Sequence, residues 1–108
     1  MDEELPTQVA FNLDLTNICS HAIKNFGESH QVKKAIEELS ELITELARSI
    51  STVRSHDSVI DEIADAQIML CQLHLIFGYS RIQERIAEKS QRLADTIEYL
   101  HITRRITK

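Results

Sequence analysis

Backbone-breaking residues are scarce in this chain. Gly27 and Gly78 are its two glycines and Pro6 its one proline, among 108 residues. A β-sandwich or β-barrel needs a turn about every 8–12 residues, and Gly and Pro are the usual residues of such turns. Glu, Leu, Ala and Lys, which favour helices, are abundant instead. The sequence therefore predicts an all-α fold, and the length allows a single domain over residues 1–108.

The two glycines and one polar stretch divide the chain into four predicted helices. Gly27 and Gly78 each follow an apolar residue at a predicted helix end, where Gly commonly adopts the left-handed conformation. Ser29 is a candidate N-cap for the second helix. The predicted bounds are 13–26, 29 or 30 to 50, a start within the polar loop 51–57 continuing to 77, and about 80–101. Residues 1–12 are then an acidic leader and residues 103–108 a fraying basic tail.

The apolar residues of the second and third helices predict an assembly larger than one subunit. Eight apolar residues of the second helix fall within a stripe of about 140°, which we expect to be buried. The third helix is apolar on nearly every side between Ala66 and Phe77, as in a helix covered by several neighbours. One subunit of this size cannot cover it, so we expect a four-helix-bundle-like subunit that forms a homodimer or homotetramer. The stripe consists of Val32, Ala35, Ile36, Leu39, Leu42, Ile43, Leu46 and Ile50.

Charge and cysteine content exclude several classes of protein. Twelve Lys and Arg against seventeen Asp and Glu give a net charge of −5, which disfavours nucleic-acid binding. Residues 2–4 are acidic, where a signal peptide would be basic, and no apolar run approaches about 18 residues, so we expect neither a signal peptide nor a membrane partner. Cys19 and Cys71 lie in apolar helical surroundings and predict buried free thiols. These features together predict a cytoplasmic protein.

Three polar residues of the second helix share one flank of its apolar stripe. Measured from Leu39, Gln31 projects at about −80°, Glu38 at about −100° and Glu41 at about −160°. Glu38 therefore lies at the boundary of the stripe and Glu41 is its i+3 neighbour. Gln31 is either a polar residue of the first turns or a side chain that orients a ligand. Glu45 follows on the same flank, and we expect it to be an exposed acid.

Two acids of the third helix continue an apolar line. Glu62 and Asp65 are collinear with Ala66 and Met69, so we expect both carboxylates to point towards the interior. Facing carboxylates repel by about 4 kcal/mol per close pair at an effective dielectric constant near 20, unless a cation lies between them. Carboxylate oxygens without thiolate or imidazole suit Mg²⁺ or Mn²⁺ better than zinc. Glu38, Glu41, Glu62 and Asp65 are thus the predicted metal ligands.

These motifs resemble those of a known enzyme family. The segment 31–42, which contains Glu37-Glu38-x-x-Glu41, together with Glu62-x-x-Asp65, is similar to the MazG-like all-α nucleoside triphosphate pyrophosphohydrolases, specifically their small phage and bacterial members. The resemblance covers residues 26–92. It implies that the EExxE and ExxD motifs bind Mg²⁺, which holds the triphosphate, with Glu37 as the less essential leading acid.

The family also carries a basic stretch, N-x-K-x-x-R, on the following helix. Residues 87–92 match it at Lys89 and Arg92, whereas Ala87 stands where many relatives carry Asn. On the fourth predicted helix Lys89 lies about 60° from Ile86, so we expect its charge to point towards the bundle. Phosphate is a suitable partner for both cations.

The resemblance implies hydrolysis of a nucleoside triphosphate between the α- and β-phosphates, which releases the monophosphate and pyrophosphate. Glu38, Glu41 and Lys89 are then the candidate catalytic residues. Gln31, Lys89 and Arg92 are the candidate substrate-binding residues.

Three other interpretations of the sequence remain open. The acids could be solvated and paired with Lys34, Arg48 or other cations. A ferritin-like site needs two Glu-x-x-His motifs, and only residues 98–101 have that form. A helical module that dimerises or binds nucleotides or metal without turnover would also explain the pattern.

Overall fold

A computed structural model describes residues 13–51 and 56–107, with side chains described for 14–51 and 56–106. The described residues form four α-helices and no strand: α1 (Leu13–Phe26), α2 (Glu28–Ser51), α3 (Asp57–Phe77) and α4 (Tyr79–Thr107). The all-α prediction is confirmed. The acidic leader and most of the predicted loop, residues 52–55, lie outside the described residues.

Two glycines end α1 and α3, as predicted. Gly27 and Gly78 have φ values of 91° and 119°, a region that residues with a Cβ rarely adopt. The amide of Gly27 donates to the carbonyl of Ile23 at 2.8 Å, which closes α1, and the Gly27 carbonyl accepts from Gln31 at 3.1 Å, which opens α2. Gly27 therefore serves both helices. Ser29 lies inside the first turn of α2, so the predicted N-cap role for it is wrong.

The chain divides into two compact units, of which the first ends at Ile76 and the second begins at Phe77. The buried apolar residues of the first unit are small or flexible, and they come from all three of its helices: Cys19, Ala35, Ala66, Met69 and Cys71. Both cysteines are free and buried, as predicted. The Cys19 thiol donates to the backbone carbonyl of Ile68 at 3.7 Å, so α1 contacts α3 directly.

The apolar stripe of α2 is only partly covered within one chain. Ala35 is buried and Leu39 is half-buried, but Ile36 and Ile43 are more than half exposed and Ile50 is 89% exposed. The expectation that the whole stripe is buried is therefore wrong for the single chain. Two neighbouring helices occupy only part of the circumference of α2, and a stripe of about 140° extends beyond them.

Among the described residues, the second unit consists of α4 together with Phe77 and Gly78 before it. The helix continues to Thr107, so the fraying tail predicted from residue 103 is wrong for all of its described residues. No Gly or Pro interrupts this end of the chain. Arg104 and Arg105 lie in the last turn, where their positive charges stabilise the helix by interacting with the negative end of its dipole. One helix has no core of its own, so the single domain and the bundle-like arrangement stay predictions.

None of the helices in the described part of the chain combines the length and the apolar character needed to cross a bilayer.

Candidate functional site

Three carboxylates from α2 and α3 converge in the first unit. One oxygen from each of Glu38, Glu41 and Glu62 lies within 4.8 Å of the other two. Glu38 and Glu41 are three residues apart and therefore share a face of α2, while Glu62 reaches them from α3. Three of the four acids predicted as metal ligands are thus brought together by the fold.

Two oxygens of this acid cluster (Glu38, Glu41 and Glu62) are buried without a hydrogen-bond partner. They are Oε2 of Glu38 and Oε2 of Glu62. Buried carboxylate oxygens normally accept hydrogen bonds, because removing a charged acceptor from water without a partner is costly. A bound cation would supply the missing interaction for both.

The pKa of Glu62 is raised above its ordinary value. Burial contributes most, because it penalises the charged form, and the negative charges of Glu41, Asp65, Glu38 and Glu45 add to the shift in that order. A carboxylate among four other acids holds its proton more tightly. The four neighbouring carboxylates would favour a cation next to Glu62.

Two cations lie next to the acid cluster on α2. Lys34 Nζ is 3.2 Å from Glu38 Oε1 and 3.6 Å from Glu37 Oε2, and Arg48 pairs with Glu45 at 2.9 Å. The alternative of solvated, paired acids therefore holds for Glu38 and Glu45 in part. Within residues 14–51 and 56–106, neither Glu41 nor Glu62 has a Lys or Arg nitrogen at ion-pair distance.

An open cleft of about 430 Å³ adjoins the cluster. It has acidic, basic and hydroxyl side chains in its walls, so it offers groups for both a cation and an anion. The hydroxyls of Ser40 and Thr44 donate to the backbone carbonyls of Ile36 and Ser40, at 2.7 and 3.0 Å. The cleft is lined by Ser40, Glu41, Thr44, Glu45, Arg48 and Glu62.

Asp65, the fourth predicted ligand, does not join the other three. It is exposed, contrary to the inward orientation expected for it, although it is close enough to raise the pKa of Glu62. The other helices of the first unit cover only part of the circumference of α3. Asp65 lies on the uncovered part and is therefore exposed to solvent. Its role as a ligand stays a prediction.

Gln31 lies in a buried polar contact rather than on an open surface. Its side chain is 5% exposed, its amide nitrogen donates to Gln72 Oε1 at 2.7 Å, and its carbonyl accepts from His30 Nδ1 at 2.7 Å. All of these partners are protein groups. The arrangement explains Gln31 as a residue that joins α2 to α3, and substrate binding by it stays a prediction.

Lys89 and Arg92 lie on α4, in the second unit, and both are exposed. The inward direction expected for Lys89 from its position near Ile86 stays a prediction, because α4 belongs to a separate unit. Helical angles give the side of a helix, but they do not say whether another element covers that side. The proposed contact of Lys89 and Arg92 with phosphate stays a prediction.

The sequence analysis did not identify the polar residues of α2 that line the cleft beyond Glu38. Glu45 was expected to be exposed, yet its side chain is 20% exposed and its charge adds to the raised pKa of Glu62. Ser40, Thr44 and Arg48 line the cleft at i, i+4 and i+8. That spacing marks one face of a helix, and applied to these polar residues it would have found them.

Comparisons with known protein families, with curated proteins and with solved structures find no match to this chain.

Proposed function

We propose that the chain is a metal-dependent nucleoside triphosphate pyrophosphohydrolase that converts an NTP or dNTP into the nucleoside monophosphate and pyrophosphate. The observation that carries the proposal is the convergence of Glu38, Glu41 and Glu62, two of them with a buried oxygen that lacks a partner. The reaction itself comes from the resemblance of these motifs to the MazG-like enzymes.

The donor set of the acid cluster fits a hard divalent cation. Carboxylate oxygens are the ligands that Mg²⁺ and Mn²⁺ prefer, and because Mg²⁺–oxygen distances are about 2.0–2.1 Å, oxygens that share one Mg²⁺ lie at most about 4.2 Å apart. The three oxygens lie within 4.8 Å of one another, so a small movement of the side chains would bring them to the spacing that one ion requires. Glu38, Glu41 and Glu62 would hold the ion, with Asp65 as the fourth carboxylate. When bound, the ion neutralises phosphate charge and lowers the pKa of water.

Side chains of this chain would carry out the proton transfer and bind the phosphates. Glu38 or Glu41 accepts the proton of the attacking water, since both carboxylates lie at the proposed metal site, where that water would bind. Lys89 and Arg92 stabilise negative charge on the phosphates, and Lys89 is the candidate for the charge that develops in the transition state. The cleft beside Glu41 offers space for part of the substrate.

We also propose that the active form is a homodimer or homotetramer in the cytoplasm. Exposed apolar side chains on both α2 and α3, such as Ile43 and Ile63, favour burial against another copy of the chain. The two buried free thiols suit a reducing compartment.

The test is a panel of canonical and modified nucleoside triphosphates incubated with the full chain and Mg²⁺. We expect pyrophosphate and a monophosphate in equal amounts, no turnover in excess chelator, and none from a Glu38→Gln variant. Orthophosphate as the sole primary product, or full activity with chelator present, would contradict the proposal. Nucleotide or metal binding without turnover would favour the non-catalytic helical module instead.

A further inference from the structure

We propose that Lys34 occupies the cation position at Glu38 when no metal is bound, and that it competes with the divalent ion and thereby sets the affinity of the site. This inference rests on the metal site of the proposed function, but not on its reaction. It concerns a residue that the family motif leaves unassigned.

The ammonium group of Lys34 and the carboxylate of Glu38 form an ion pair across one turn of α2. Nζ lies 3.2 Å from Oε1, and the Glu38 side chain is only 13% exposed, whereas that of Lys34 is 46% exposed. The other carboxylate oxygen, Oε2, is buried without a partner. Lys34 therefore satisfies one oxygen of the carboxylate and leaves the other free.

The ion pair is of a kind that a stronger ligand can displace. In helices, pairs with Glu N-terminal to Lys are the more favourable, and here Lys34 precedes Glu38. Lys34 also has a second acid within reach, because Glu37 Oε2 lies 3.6 Å from Nζ and the Glu37 side chain is 67% exposed. The ammonium can thus move to Glu37 while it remains paired, which clears Glu38 for a divalent cation.

Competition from Lys34 should weaken the binding of the divalent ion. An ammonium close to the carboxylate repels an incoming divalent ion and must give up its contact before the ion binds. Exposed ion pairs shift an equilibrium by up to about fivefold, and removal of the repulsion adds to this effect. We expect Lys34→Met to lower the Kd for Mn²⁺ by about three- to tenfold.

The experiment measures binding of Mn²⁺ alone to the full chain, from the loss of the EPR signal of the free ion, with Mg²⁺ as a competitor. Lys33→Met is the matched control, because it removes the same charge from the neighbouring position, and no ion pair of Lys33 is found among the described residues. Lys34→Arg keeps the charge and should keep the Kd near that of the parent.

Three outcomes would overturn the inference. They are unchanged or weaker Mn²⁺ binding in Lys34→Met, an equal gain from Lys33→Met, and an equal gain from Lys34→Arg, which keeps the charge. A parent that binds no Mn²⁺ would overturn both this inference and the proposed function. Pyrophosphate release with an affinity insensitive to Lys34 overturns only the inference, and a Lys34 effect without pyrophosphate release overturns only the reaction.

Discussion

Gln31 on α2 donates a hydrogen bond of 2.7 Å to Gln72 on α3, and both side chains are buried. From this pair, Glu41 lies ten residues forward along α2 and Glu62 ten residues back along α3. Because these helices run antiparallel and each rises about 1.5 Å per residue, both steps cover about 15 Å and bring the two carboxylates to the same level. The buried amide pair and the acid cluster therefore belong to the same antiparallel register of α2 and α3.

The amide pair gives the first prediction. Gln31→Ala and Gln72→Ala should each lower the free energy of unfolding by about 1–3 kcal/mol, because each leaves a buried amide without its partner. The double variant should cost less than the sum of the two, since neither amide then remains unpaired. Denaturant unfolding measures all three. Additive losses would mean that the hydrogen bond contributes little, and a change in KM without a change in stability would favour substrate binding by Gln31.

The helix ends were predictable because they depend on local conformation. Gly27 and Gly78 are the two residues of the chain without a Cβ, so they adopt the left-handed conformation without a steric penalty, and α1 and α3 end there. The burial of individual faces was not predictable in the same way. Helical angles placed Glu38 and Glu41 on one flank of α2 and Glu62 on an inward line of α3, and the structure brings these three together. The angles could not show that Asp65 and Lys89 remain exposed, because exposure depends on which other element covers a face.

Two adjacent acids of α2 should differ sharply in importance. Glu38→Gln should reduce pyrophosphate release by more than the 10- to 100-fold loss typical of removing an outer-shell partner, because Glu38 is a proposed ligand. Glu37→Gln removes the same charge, but its side chain is 67% exposed and it is not one of the three acids that converge, so most activity should remain. Steady-state kinetics with saturating Mg²⁺ measures both. Equal losses would contradict the assignment of faces on α2.

The buried thiols should react slowly in the folded protein. Burial, together with a hydrogen bond to Cys71, raises the pKa of the Cys19 thiol to about 12. The thiolate is the reactive form, so at pH 8 we expect Cys19 to react with a disulfide reagent about a thousandfold more slowly than an ordinary cysteine. Labelling of the native parent, with mass spectrometry to identify the labelled cysteine, measures Cys19 without removing the Cys71 contact that helps to raise its pKa. Rapid labelling of native protein, at a rate unchanged by denaturant, would contradict the burial of Cys19.

The exposed isoleucines of α2 predict the oligomeric state. The parent should scatter light as a dimer or tetramer at micromolar concentration, and Ile43→Asp should shift it towards monomer, because a charge would then lie in an apolar contact. Lys33→Gln changes the net charge by the same amount at an exposed polar position of the same helix, and it should leave the mass unchanged. A parent that is monomeric and melts cooperatively would contradict the proposed assembly.

The thermal stability of a Glu62 variant shows whether Glu62 is a metal-binding acid or a structural one. Its pKa is raised in the folded chain, first by burial and then by Glu41 and other acids, so its contribution to stability is full below the ordinary value of 4.5 and is lost as the pH rises through the raised value. Without metal at pH 7, Glu62→Gln should therefore melt at or above the temperature of the parent. This difference should shrink as the pH falls towards 4.5.

Excess Mg²⁺ should reverse the order of the two proteins at pH 7. The parent gains stability because the ion binds only the folded chain, and Glu62→Gln should lose much of that gain. Asp61→Asn is the control, since it removes a charge from an exposed neighbouring position on α3 and should keep the Mg²⁺ response. Thermal melts with Mg²⁺ and with chelator measure these differences. A metal-free Glu62→Gln protein that melts many degrees below the parent and still responds fully to Mg²⁺ would identify Glu62 as a structural partner and contradict the metal site.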